Sequence, residues 1–208
     1  KAANVSSDKG AVLATAAGSV KLSAGEANVQ SDAAHQRTGK SLFSSQTISS
    51  RDTLDQTTAL GSTFSGHTTT VLANQDIKLQ GSNVVSTQGT VLAAQNHIAI
   101  EAATNTQIES HLKDEKKSGL MGTGGIGITA GTQQQRVNQD GTTTTSAAST
   151  VGSTEGSVNL QAGKNYAQVG SNVIAPQGDI SIAAQKVDIT EARDTSQNET
   201  ETKFKQGG

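Results

Sequence analysis

Residues 71–103 recur without a gap as residues 160–192, an offset of 89. Within that span Gly81-Ser82-Asn83-Val84-Val85 returns as Gly170-Ser171-Asn172-Val173-Ile174. Self-similarity at a fixed spacing marks stacked modules, each unable to bury its apolar face alone. A finer period runs inside each copy. Ile77, Val84, Val91 and Ile98 are seven apart, as are Tyr166, Val173, Ile180 and Val187, and three sevens predict a 21-residue circuit.

A period of seven also describes a coiled coil, but that requires large apolar side chains and helix-forming residues between them. Here the intervening residues are Gly, Ser, Thr, Asn and Gln. The local pattern is alternation instead, as in Ile77-Lys78-Leu79, Ile98-Ala99-Ile100 and Val187-Asp188-Ile189. That places every second side chain on one face of a short strand. Gln80-Gly81-Ser82, Gln88-Gly89 and Gln95-Asn96 fall between the strands, where Gly and Asn tolerate positive φ and turn the backbone. A chain that turns three times per circuit and stacks each circuit on the last is a right-handed parallel β-helix, an all-β solenoid with strands about 4.8 Å apart. A single circuit cannot offset the entropy of ordering its residues, so stability must come from neighbours.

The composition agrees with a narrow core. Apolar residues are 32% and aromatics 2%, with Phe43, Phe64, Phe204 and Tyr166 the only aromatic side chains. A net charge of −2 lacks the self-repulsion that keeps polar chains disordered. It also shows no basic face interleaved with aromatics, so nucleic acid is not an expected partner. Cysteine is absent, which excludes disulfides and thiolate metal sites. No apolar run approaches the ~18 residues of a membrane span, and no signal peptide opens the chain. It starts at Lys1 rather than Met, which predicts an internal piece of a longer protein.

Three coil-forming blocks stand at 4–25, 68–103 and 157–192, the first matching the second at an offset of 78 to 79. Polar excursions follow at 26–66, 104–156 and 193–208. The second excursion holds the charge run Lys113-Asp114-Glu115-Lys116-Lys117, a glycine stretch to Gly131, and a Thr-rich segment from Thr142 to Thr150. Weak alternation, as in Thr104, Thr106, Ile108, Ser110 and Leu112, predicts extended strands with turns at Gly122–Gly125 and Asn138-Gln139-Asp140-Gly141. The expected organisation is one β-helix segment over 1–208, with repeats of roughly 4–66, 67–156 and 157–208.

The block from Gly81 to Ile100, followed by the Lys-rich stretch and Lys117-Ser118-Gly119-Leu120-Met121-Gly122-Thr123-Gly124-Gly125-Ile126-Gly127, resembles the haemagglutinin repeats of filamentous haemagglutinin-type exoproteins. These are two-partner-secreted proteins of Gram-negative bacteria and include the CdiA-like effectors of contact-dependent growth inhibition. The order is similar to their second repeat region. Neither the Asn-Pro-Asn secretion motif nor the Val-Glu-Asn-Asn junction before the toxin is present. The resemblance implies a secreted, cell-surface stalk or delivery segment serving adhesion or toxin delivery. Implied partners are a target-cell receptor, outer membrane or glycan, and an outer-membrane transporter during secretion.

Motifs for chemistry are weak. Gly122 to Gly127 matches G-x-G-x-x-G, but no apolar strand precedes it, no helix pattern follows, and the acidic residue about 20 positions on is missing. No Asp accompanies these glycines as calcium β-rolls require, and His35, His67, His97 and His111 lack the i, i+4 spacing of a zinc helix. No catalytic residue, cofactor, metal or small-molecule substrate is therefore expected. The carboxylate pairs Asp52/Asp55, Asp114/Glu115 and Glu191/Asp194 keep a polysaccharide-processing β-helix enzyme open as an alternative. An outer-membrane-inserting module built on Leu120 to Ile128 is another. The candidate contact residues are Lys113, Lys116, Lys117 and Arg136, which suit an anionic surface such as lipopolysaccharide phosphates.

Overall fold

A computed structural model describes residues 2–122 and 128–207. Among them there is no helix, so the expectation of an all-β chain holds. The chain opens with β1 (Asn4–Ser6), β2 (Ala11–Ala16) and β3 (Val20–Ser23), followed by the long strands β4 (Gly25–Lys40) and β5 (Ser44–Leu60). Next come β6 (Thr63–Ala73), β7 (Ile77–Gln80), β8 (Asn83–Ala94) and β9 (His97–Glu101), then the long β10 (Ala103–Gly122) and β11 (Ile128–Ala147). The remainder is β12 (Thr150–Ser153), β13 (Ser157–Ala162), β14 (Asn165–Val169), β15 (Asn172–Ile174), β16 (Ile180–Ala183), β17 (Lys186–Thr190) and β18 (Thr195–Gly207).

Two compact units result. The first comprises Lys1–Ala27, Thr57–Asn105 and Thr145–Asp194; the second comprises Asn28–Gln56, Thr106–Thr144 and Thr195–Gly208.

The first unit consists of two parallel ladders that the chain visits alternately. One ladder has the order β17-β14-β9-β7-β3, and the other runs β1-β6-β8-β12-β15, with β2, β13 and β16 alongside. Registers fix the period. Ile77 pairs with Ile98 and Tyr166 with Val187, each 21 residues on, while Leu160 pairs with Ile182 at 22. The steps that contain long strands are larger: Val20 pairs with Ile77 at 57, and Ile98 with Tyr166 at 68. The offset of 89 is therefore one step of 21 and one of 68, and the offset of 78 is one of 57 and one of 21.

The core follows from alternation within these ladders. Val71, Ile77, Leu79, Val84, Leu92, Ile98, Ile100, Val151, Val158, Leu160 and Tyr166 are buried together. In-register stacking puts like upon like, as in Ala14, Val71, Leu92, Leu160 and Ile182, so short branched side chains fill the interior without aromatics. Two threonines enter the core and satisfy their hydroxyls on backbone: Thr69 Oγ1 donates to the Val85 carbonyl and Thr90 Oγ1 to that of Gly152, both at 2.7 Å. Burying a hydroxyl is tolerable only when it is so paired.

Serines make the corners. Ser7, Ser86 and Ser153 each accept from the amide of the glycine three residues on, Gly10, Gly89 and Gly156, at 3.0 to 3.1 Å. A second corner stacks the buried Ser82 and Ser149 and the half-buried Ser171: Ser149 Oγ accepts from the Ser82 amide and donates to the Glu101 carbonyl, and Ser171 Oγ accepts from the Ser149 amide.

Several expectations are corrected. Val91 is not inward; Thr90 and Leu92 are buried instead, because β8 keeps its inward side chains an even count apart, at Val84, Ser86, Thr90, Leu92 and Ala94, and a step of seven from Val84 lands on the outward face. Leu13, aligned by sequence with Leu92, is 65% exposed, and Ala14 takes the inward column. Ile180 and Val187 are each 46% exposed, because β16 and β17 pair on one side only among the described residues. Positive φ occurs at Gly81, Gly119 and Gly170 but at no described non-glycine residue, so Gln95-Asn96 turns without it. Asn138 to Gly141 is not a turn but the middle of β11, each residue paired with β18. Residues 123–127 of the Gly122–Gly125 turn and of the G-x-G-x-x-G match lie outside the described residues.

The second unit is a five-stranded sheet of order β18-β11-β10-β5-β4, to which the polar excursions supply the long strands. The pair β11 and β18 is antiparallel over thirteen residue pairs, from Thr132 with Gly207 to Thr144 with Thr195. Only three residues join β4 to β5, with the Ser41 amide donating to the Ser44 carbonyl at 2.8 Å; a connection that short permits only antiparallel neighbours. Contacts of β5 and the turn residue before it with β10 also run in opposite directions: Phe43 with Leu120, Gln46 with Glu115, Asp52 with His111.

Candidate functional site

Charge in this sheet is sorted by position along the strands. One end carries the β4–β5 turn, the last residues of β10 and the first of β11. On that half, residues 35–50, 113–137 and 202–208 hold eight basic side chains and two acidic ones. The basic ones are Arg37, Lys40, Lys113, Lys116, Lys117, Arg136, Lys203 and Lys205, all exposed; Asp114 and Glu115 are half-buried. The other half reverses the balance, with Arg51 against Asp32, Asp52, Asp55, Glu109, Asp140, Glu199 and Glu201.

Both acids at the basic end are engaged within the sheet. Gln134 Nε2 donates to both carboxylate oxygens of Asp114 at 3.0 Å. Glu115 takes Lys117 Nζ at 2.8 Å and Gln46 Nε2 at 2.7 Å. Its carboxyl is held below the usual range chiefly by the Lys117 hydrogen bond, with Lys117 charge, Gln46 and Lys113 adding to it. Among the described residues, Arg37, Lys40, Lys113, Lys116, Arg136 and Lys205 have no carboxylate within ion-pair distance. These ammonium and guanidinium groups are therefore available to an outside anion.

The four residues singled out from sequence divide between two faces, because successive strand side chains point opposite ways. Lys113 and Lys117 share a face with Glu115. Lys116 shares the other with Asp114, which meets Gln134 and so brings in Arg136 two positions on. Registers add Lys205, opposite Gln134, and Lys203, opposite Arg136. Sequence reading missed Lys203, Lys205, Arg37 and Lys40 because they sit in other excursions. The signal was available: each excursion carries a pair or more of basic residues beside its turn or end.

The same end exposes large apolar groups. Leu42 is 92% and Phe43 70% exposed in the β4–β5 turn, Leu120 49%, and Phe204 55%. The Leu120 amide donates to the Phe43 carbonyl at 3.0 Å, which holds Leu120 beside the turn. Gly119, at φ 129°, permits this approach; a Cβ there would strike the Phe43 carbonyl and the Ser44 backbone. A groove of about 460 Å³ lies nearby, lined among others by Thr47, Lys116, Lys117, Gln134 and Lys205.

The carboxylate pairs considered for catalysis each turn to separate partners. Asp52 meets His111 and Asp55 accepts from Gln30; Asp114 and Glu115 are engaged as described; Glu191 meets Arg193 and Asp194 accepts from Ser146.

A family profile described as Hemagglutinin repeat matches residues 43–207. Among similar proteins, the tRNA nuclease CdiA of Escherichia coli O6:K15:H31 is 45% identical over 136 residues, 64% of this chain and 4% of that protein. The 16S rRNA endonuclease CdiA of Enterobacter cloacae is 37% identical over 174 residues, 83% of this chain and 5% of that protein. The deoxyribonuclease CdiA of Yersinia pseudotuberculosis is 34% identical over 137 residues, 66% of this chain and 13% of that protein. The chain thus spans a small fraction of the length of these relatives. No solved structure matches it. The profile covers most of the chain, from the residue before β5 to the end of β18, and the chain belongs to the hemagglutinin repeat family.

Proposed function

We propose that this chain is a non-catalytic segment of a bacterial cell-surface filament, in which the ladders wind as a right-handed parallel β-helix of repeats near 4–66, 67–156 and 157–208. The basic end of the sheet contacts the anionic outer surface of a target cell, in adhesion or in toxin delivery. The observation that carries this reading is the asymmetry of eight exposed cations against two engaged acids, with Leu42 and Phe43 protruding among them. Cations suit phosphate oxygens, and an apolar tip ringed by Lys and Arg suits a headgroup layer. A non-catalytic role is supported by the relatives: proteins named for tRNA, 16S rRNA and DNA cleavage share this same segment, so it does not track the chemistry. A secretion transporter for the parent protein and a surface or outer-membrane location follow from the same family argument.

The test is co-sedimentation of the 208-residue chain with vesicles bearing lipopolysaccharide and with neutral phosphatidylcholine vesicles. Binding only to the former, weakening steeply with salt and lost in Lys116→Glu/Lys205→Glu, is expected. Equal binding to both vesicle types, or none to either, overturns the contact.

A further inference from the structure

The groove beside Lys116 is built by one face of four neighbouring strands, β5, β10, β11 and β18. Gln134 Nε2 bonds Asp114, which sets Lys116 and Ser118 of β10 on the Gln134 face, together with Thr132 of β11. Lys205 stands opposite Gln134 in the register of β11 with β18. Gln46 meets Glu115 on the other face, so Ser45 and Thr47 of β5 turn to this one. The groove thus runs across the strands for about 14 Å, the width of three strand spacings. It opens on the face of the sheet, so a further strand beside β18 would leave it in place.

The lining combines two kinds of group. Lys116 and Lys205 supply ammonium groups with no carboxylate within ion-pair distance among the described residues, whereas Lys117 at the rim is taken by Glu115. Ser45, Thr47, Ser118 and Thr132 supply hydroxyls, which both donate and accept. Among the described residues, none with a wholly hydrocarbon or aromatic side chain lines the groove, so it offers no seat for an acyl chain and no stacking platform for a nucleobase. What suits it is a polyol that carries negative charge. Two unpaired single cations balance one phosphate monoester, which is close to doubly charged at neutral pH; a carboxylate or a sulfate ester would leave one of them unmet. The volume of about 460 Å³ falls in the range of small-molecule sites, about 300–1,000 Å³. We infer that the groove binds a phosphorylated sugar, with its phosphate between Lys116 and Lys205 and its hydroxyls on the Ser and Thr side chains. The inference rests on the target-surface reading, in that it names the chemical unit which the basic end takes.

NMR titration of the 208-residue chain with glucose 6-phosphate, glucose and inorganic phosphate, following the amide peaks of residues 45–47, 116–118 and 132–134, separates the outcomes. Glucose 6-phosphate is expected to shift these peaks and to bind on the order of tenfold more tightly than inorganic phosphate, with no measurable binding of glucose. Lys116→Gln/Lys205→Gln should weaken glucose 6-phosphate about tenfold or more. Arg37 and Lys113 lie on the opposite face, since their neighbours Thr38 and Asp114 meet Thr47 and Gln134. Arg37→Gln/Lys113→Gln removes the same charge there and should weaken binding by less than about twofold. Thr47→Val/Thr132→Val, which keeps residues suited to a strand, should cost glucose 6-phosphate about threefold or more and leave inorganic phosphate as it was. Inorganic phosphate binding as tightly as glucose 6-phosphate, equal losses in the two charge variants, or no loss in the hydroxyl variant overturns the inference. Because the assay holds no membrane, its failure is distinct from that of the target-surface reading. A chain that binds lipopolysaccharide vesicles but not glucose 6-phosphate loses the groove alone, and one that binds glucose 6-phosphate but not the vesicles keeps it.

Discussion

Tyr166 stands in register with Ile98 in the adjacent strand, filling with an aromatic ring the inward position that Ile77, Ile98 and Val187 fill with aliphatic side chains. It is fully buried, and its hydroxyl donates to Gln168 Oε1 at 2.8 Å while Gln168 Nε2 donates to the Ser171 carbonyl at 2.7 Å. Gln168 itself faces Ile100 across the ladder, so the tyrosine hydroxyl and the glutamine satisfy each other in an otherwise aliphatic column.

Replacing Tyr166 by Ala should therefore cost about 3–5 kcal/mol, whereas Tyr166→Phe should cost only about 1–2, the worth of an orphaned buried acceptor. Burial pushes the phenol up to about 12. Below its ordinary value of 10.0 both folded and unfolded states keep the proton, and this contribution is fully present. As pH rises toward 12 the unfolded chain ionises first, and stability falls. Chemical denaturation at pH 8 and pH 11 should show a loss in the wild type that is absent in Tyr166→Phe.

Gly81 and Gly170 are equivalent positions of the repeat, at φ 55° and 54°. A Cβ on Gly81 would collide with the Cβ of Ala103, and one on Gly170 with the Cβ of Ala192. Gly81→Ala should thus destabilise by more than about 1 kcal/mol, from left-handed strain and from the clash together. Gly18, with nothing near its position, is the control, and Gly18→Ala should leave the thermal midpoint nearly unchanged. Equal melting of the two variants would refute the assignment.

The parallel ladders were legible because stacking demands that one side chain type recur at one interval, and Ile77, Ile98, Tyr166 and Val187 obey it. Val91 broke the rule for a local reason: β8 continues through the Ser86–Gly89 corner with its inward side chains still at even intervals, at Val84, Ser86, Thr90 and Leu92, so an odd step of seven from Val84 falls on the outward face. Asn138 to Gly141 reads as a turn by composition, but a partner strand supplies hydrogen bonds that local propensity does not include. The basic end was half legible. The run Lys113 to Lys117 is contiguous in sequence, whereas Lys203 and Lys205 join it only through strand registers spanning dozens of residues.

His111 lies where the basic half of the sheet meets the acidic half. Its Nδ1 meets Asp52 Oδ1 at 2.9 Å, and its Nε2 lies 3.8 Å from Glu109 Oε2. The Asp52 hydrogen bond first, then the charges of Asp52 and Glu109, raise the imidazole above its ordinary 6.5. A raised folded value means that the contribution is fully present below 6.5 and is lost as pH climbs through the folded value, so the β5–β10 contact weakens on the alkaline side. Titration of the His111 ring protons by NMR should show the raised midpoint. Asp52→Asn should return it toward 6.5, and Glu109→Gln should move it less, because the second carboxylate is farther away. Its exposure makes the stability change small, so the midpoint itself is the quantity to follow. An unshifted His111 in the wild type, or one indifferent to Asp52→Asn, would show that the clamp between the two carboxylates does not form in solution.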